Sequence, residues 1–175
     1  MRTIAKPQFG EYPPYAEMYM KLLPDDGMVL QHLAGNFGVI KQFICSLPEE
    51  KLYHRYAEGK WSIKEILVHI VDDERIFAYR ALRFARNEQK NLIGFDQDAY
   101  AFYSEADQRN LDNIFEEYAA VRQATITLFN GLPEASLTRM GKGTGTANSA
   151  TVRALVYHIA GHELHHFNFI KAYYL

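Results

Sequence analysis

The stretch TVRALVYHIAGHELHHFNF, residues 151–169, holds four histidines: His158, His162, His165 and His166. A helix advances ~100° per residue. With His158 at zero, His162 falls near ~40°, His166 near ~80° and His165 near about −20°. All four share one face about 100° wide with Leu155 and Phe169. That face also carries apolar residues, so it points inward. Four imidazoles on an inward face need partners, because a buried polar group without one is costly. Two histidines one turn apart can offer nitrogens to one metal ion. His158/His162, His162/His166 and His162/His165 all have suitable spacing.

A third ligand must come from elsewhere, and His69 is the best candidate. It shares a helical face with Ile66, Asp73, Ile76 and Phe77. Asp72, Asp73 and Glu74 can accept an imidazole N–H and fix its tautomer, or one of them can be a ligand itself. Ser62-Ile63-Lys64-Glu65 is a capping box that starts this helix, which extends to about Arg86. Three more helices follow from apolar periodicity: Asp26 to Ser46, Leu111 to Phe129, and Thr151 to the C-terminus. Asp25 or Asp26 can cap the first, and Ser149 or Thr151 the last. No segment shows sustained period-two alternation. The fold class is therefore all-α, a four-helix bundle over residues 26–175. Residues 1–25 hold four prolines and read as an arm packing on the bundle. The 87–107 loop carries Tyr100 and Tyr103, candidate walls of a substrate pocket. The glycines of residues 141–146 suggest a phosphate cradle, but no apolar strand precedes them and the Lys-Ser/Thr ending is missing, so they read as a loop.

Composition narrows the function classes. The chain has 175 residues, 48% hydrophobic and 23% charged, which is a globular composition. A net charge of −2 argues against a nucleic-acid partner. No apolar run is long enough to span a membrane. The opening residues lack a secretory h-region, so a cytoplasmic location is expected. The single cysteine, Cys45, excludes an internal disulfide, and its apolar surroundings predict a buried, inert thiol.

Two motif matches are set aside. His162-Glu163-Leu164-His165-His166 satisfies H-E-x-x-H. However, Phe169 and Ala172 stand where the extended protease motif needs Gly and His, and nine residues after His166 leave no room for a distant glutamate ligand. Glu163-Leu164-His165-His166 is one Glu-x-x-His, whereas di-iron carboxylate bundles need two.

The run Gly59–Ile70, with Asp72-Asp73-Glu74-Arg75 and Tyr79-Arg80, resembles the second helix of the DinB/YfiT-like superfamily. Gly94–Tyr100 resembles its loop between helices two and three. Thr151–Leu155 followed by His162–His166 resembles its last helix. The resemblance implies a four-helix bundle with a divalent metal ion, zinc or nickel, held by His69, His162 and His166. Asp73, His165 and His158 then stand behind the ligands. Characterised relatives imply a thiol S-transferase using bacillithiol, mycothiol or glutathione, with a low-molecular-weight thiol as co-substrate. A hydrolase using metal-bound water, with Asp73 or Glu163 as base, is the alternative. A non-catalytic stress-related bundle is the third. A small-molecule substrate and a homodimer complete the expectations.

Overall fold

The computed structural model describes residues 1–143 and 149–175. In chain order its helices are α1 (Glu17–Met20), α2 (Val29–Cys45), α3 (Glu49–Leu52), α4 (Ile63–Ala85), α5 (Gln97–Tyr103), α6 (Leu111–Gly131) and α7 (Val152–Tyr173). The long ones, α2, α4, α6 and α7, are the four that periodicity predicts, and they form a four-helix bundle. The capping box at the start of α4 is present: Ser62 accepts the Glu65 N–H at 3.1 Å and Glu65 accepts the Ser62 N–H at 2.7 Å. Thr151 caps α7 by accepting the Ala154 N–H. α2 begins later than expected because Asp26 makes a turn instead, accepting the Met28 N–H.

α4 packs against α6 and α7, and α2 packs against the same two. Consecutive long helices α2 and α4 therefore lie across a diagonal. Short loops force consecutive helices to be neighbours. The 46–62 and 132–151 connections are long enough to cross the end of the bundle.

Several local features depart from the sequence reading. The 87–107 segment contains α5, capped by Asp96. Strands β1 (Met140–Lys142) and β2 (Ser149–Thr151) pair antiparallel, with Gly141 opposite Ala150. Strands this short show no alternation to detect, and they place Gly141 and Lys142 in a ladder rather than a loop. The rest of that predicted loop, residues 144–146, lies outside the described residues. Cys45 is exposed, not buried. Ile40 and Ile44 define the inward stripe of α2, and one further residue turns ~100° away from it.

The core comprises two apolar clusters separated by a polar layer. Along α4, one cluster takes Ile63–Val71 positions and the other begins at Phe77; Asp73 and Glu74 lie between. Along α7, Leu155 and Ile159 belong to one cluster and Phe167 and Ile170 to the other, with His162 and Glu163 between. Arg122 of α6 is at the same level. Its Nε donates to Glu74 at 3.0 Å, and its guanidinium also meets Glu163, Tyr118 and the Leu33 carbonyl.

The arm is anchored by Tyr157, whose hydroxyl donates to the Ile4 carbonyl at 2.8 Å, and by Arg153, which donates to Glu11 at 3.0 Å. α1 crosses α7 at Gly161, where a Cβ would sit 2.4 Å from the Tyr19 carbonyl oxygen. Backbone cannot yield as a side-chain tip can. Gly161→Ala is expected to lower unfolding stability by ~1–3 kcal/mol. Gly35→Ala, in open space on α2, is expected to be neutral or stabilising by up to ~1 kcal/mol. Urea titration of both variants checks the contrast. Arg122→Ala is expected to cost ~3–5 kcal/mol in the same assay, because it strands two buried carboxylates.

Candidate metal centre

His69, two turns into α4, faces α7 because the flanking Ile66 and Ile70 bury the same side of the helix in the core. The His162 Nε2 lies 3.1 Å from the His69 Nε2 and 3.0 Å from the His166 Nε2. All three nitrogens lie within 4.8 Å of one another. A neutral imidazole nitrogen offers either one proton or one lone pair, so His162 cannot make a good hydrogen bond with both neighbours. A tetrahedral ion at ~2.0–2.1 Å from each nitrogen would hold ligand pairs ~3.3–3.4 Å apart. The donor set therefore fits a divalent ion.

Burial keeps the rings unprotonated, as ligands must be. It drives His162 down to about 3 and His166 to about 2, and it lowers His69. Asp73 stands behind them. Its Oδ2 is 3.4 Å from the His162 Nδ1 and 3.4 Å from the His158 Nε2. A carboxylate on the Nδ1 side favours the tautomer whose Nε2 lone pair faces the triad. Burial pushes Asp73 up, but attraction to His162 and His158 outweighs it and holds the carboxyl well below the usual carboxylate range.

Of the three possible acceptors on α4, only Asp73 faces the histidines. Glu74 pairs with Arg122, and Asp72 lies 3.7 Å from Arg75. His158 stacks flat on Phe77 with ring centroids 3.7 Å apart, one turn from the triad. His165 meets Tyr19 edge-on at 5.6 Å. Glu163 is fully buried on a different side of α7, paired with Arg122 and Tyr118. One residue past His162, it is turned ~100° away from the triad. This corrects its expected role as a base and removes the zinc-protease reading.

Two cavities flank the triad. One, of about 710 Å³, is lined by Tyr56, Trp61, Phe102, His165, His166 and Phe169 among others. The other, of about 320 Å³, includes Tyr15, Tyr19, Asp73, Arg80, His158 and His162. Tyr100 and Tyr103 line neither: Tyr100 rests on Phe95 and Tyr103 on Phe102. Asp98 and Phe102, one turn apart on α5, face the larger cavity instead. A helical reading of that segment would have paired them.

Two aromatics at the centre, Trp61 and Tyr19, have no role in the sequence reading, whereas Phe77 stands on the predicted His69 face. Trp61 lies 4.7 Å from the His69 ring, Tyr19 lies 5.4 Å from His162, and Phe77 supports His158. Trp61, immediately before the cap of α4, is the more legible of the two. Burial, reinforced by Asp73, pushes the Tyr19 hydroxyl up to about 12, so it stays a neutral O–H.

The fold and the centre define a helical-bundle protein with three converging imidazoles. A family model described as the DinB superfamily matches residues 32–170, and the chain belongs to that superfamily. A protein of Oceanobacillus iheyensis, provisionally named a metal-dependent hydrolase, is 26% identical over 129 residues, covering 73% of each chain. The solved structure of YfiT from Bacillus subtilis, described as a probable metal-dependent hydrolase with an unusual four-helix bundle topology, superposes with a TM-score of 0.77. It is 16% identical over 85% of each chain, a likeness that carries the fold. Among the described residues no helix is long and apolar enough to cross a membrane.

The depressed histidines make stability depend on pH. Unfolded imidazoles bind protons below about pH 6.5, whereas His162 and His166 in the folded chain do so only near 3 and 2. The unfolded state therefore takes up more protons, and stability falls as pH drops below 6.5. Each ring contributes at most ~1.4 kcal/mol per pH unit. Denaturant titrations of metal-stripped protein at pH 7.5 and 5.5 are expected to show this loss, and His162→Gln is expected to reduce it.

Proposed function

We propose that the chain is a divalent-metal-dependent hydrolase in which His69, His162 and His166 hold the ion. The observation that carries this reading is the His162 Nε2, placed 3.1 and 3.0 Å from two other ring nitrogens with one bonding function to share. When bound, a zinc or nickel ion would supply Lewis acidity that makes a small nucleophile potent near neutral pH. Asp73 holds the His162 ring in the ligating tautomer and stays an ionised carboxylate beside the site. Trp61 and Tyr19 pack against the imidazoles from two sides and limit water. The naming of the relatives as metal-dependent hydrolases supports the same reaction class.

Thiol S-transfer is the second reading, favoured by the two separate cavities that reach the triad. A thiol and an electrophile could approach from different sides. Here the low-molecular-weight thiol brings the sulfur, and Cys45, at the exposed end of α2, is not required.

Metal analysis of protein purified without chelating resin tests the centre. Close to one ion per chain is expected, falling near zero in His69→Ala and His162→Ala. His165→Ala, outside the triad, is expected to keep the ion. Wild-type protein without retained metal would overturn both readings. Turnover of an ester and amide panel by zinc- or nickel-loaded protein without thiol supports hydrolysis. Turnover that requires added thiol selects transfer.

A further inference from the structure

We propose that the smaller cavity is a binding site for a small monocarboxylate that also carries an N–H or O–H donor. Arg80 supplies the anion site. Its guanidinium lies over the Phe77 ring at 4.7 Å and lines the cavity. Its neighbours on α4 are neutralised, Arg75 by Glu117 and Arg83 by Glu88. Arg80 enters no ion pair among the described residues, which leaves a guanidinium fork free to grip a carboxylate.

The opposite end of the cavity supplies the second contact. The Asp73 Oδ2 and the His158 Nε2 are fully buried and 3.4 Å apart, and the same oxygen lies 3.4 Å from the His162 Nδ1; these long contacts are the only polar ones around them among the described residues and leave neither atom in a well-formed hydrogen bond, and both residues line this cavity. Buried polar atoms held only by long contacts are rare because incomplete pairing is costly. A ligand donor reaching Asp73 would satisfy its carboxylate.

Geometry sets the ligand's shape. Asp73, Phe77 and Arg80 follow one another on one side of α4, with ~10 Å of helix axis between the first and last. Donor and carboxylate therefore belong at opposite ends of the ligand, with a flat or apolar middle passing Phe77 and Tyr15. A single carboxylate fits better than a phosphate dianion, because the Asp73 carboxylate in the same cavity repels additional negative charge. The carboxylate affinity rests on Arg80 alone. That such a ligand is the substrate rests on the metal reading.

Ligand-observed NMR titration of metal-stripped full-length protein separates the two. The probe is 4-aminophenylacetate, compared with 4-aminophenylacetamide and inorganic phosphate. Saturable binding of the carboxylate is expected, with little binding of the amide. Arg80→Gln is expected to weaken it at least about tenfold, the scale of one lost charge-assisted hydrogen bond. Arg80→Lys is expected to restore part of it, and Lys60→Gln, in the larger cavity, to leave it unchanged. Unaltered thermal unfolding of the Arg80 variants checks that they fold. Lack of saturable binding, equal binding of the amide, preference for phosphate, or indifference to Arg80→Gln would each overturn the proposal. Repeating the titration with zinc reports on the metal reading separately.

Discussion

One nitrogen, the Nε2 of His162, has two imidazole neighbours at hydrogen-bonding distance and a single bonding function to offer. Everything around it keeps that conflict in place. His69 and His162 are 93 positions apart, so the contact exists only if α4 and α7 pack in one rotation and one register. The capping box fixes where α4 begins, and Thr151 does the same for α7. Trp61 and Tyr19 then limit the ring rotations. Ligands oriented by packing before an ion arrives lose less freedom on binding it.

The register is held by a second set of charges at the same level of the bundle. Asp73 and His162 face the smaller cavity, while their chain neighbours Glu74 and Glu163 face Arg122. Apolar side chains would tolerate a small slide of one helix along another. The Arg122 network would not, because a slide leaves a buried carboxylate unpaired at a cost of several kcal/mol. Burial also pushes the Glu163 carboxyl up, against the pull of Arg122. Two adjacent residues on each helix thus divide the work, one holding the bundle and the other forming the centre.

The long helices and the shared histidine face were legible because both follow from helical period. His158, His162, His165 and His166 do lie on one side of α7, but the period alone gave no choice among pairs. The position of α4 makes that choice, since His69 meets His162 and His166 while His158 is occupied with Phe77 and Asp73. Glu163 follows His162 in sequence but points ~100° away from it, and Arg122, far away in sequence, takes it into the core, a pairing no local pattern reveals. Cys45 is exposed although its neighbours are apolar, because it lies ~100° past the Ile40–Ile44 stripe. Residues 97–103 read as a loop in the sequence, and without a helical period the tyrosines there cannot be told from Asp98 and Phe102, which line the larger cavity.

The arm is the least sequence-legible part of the centre. Prolines and scattered tyrosines mark residues 1–25 only as a segment that covers the core. In the fold, Gly161 lets the backbone of α1 approach α7 more closely than any side chain would allow. That approach brings the Tyr19 ring edge-on to His158, His162 and His165. A glycine in the middle of a helix costs up to ~1 kcal/mol relative to alanine. Here the cost is offset by contact with a neighbouring segment, and that segment walls the smaller cavity. The arm is therefore better understood as one side of the centre than as a cover for the bundle.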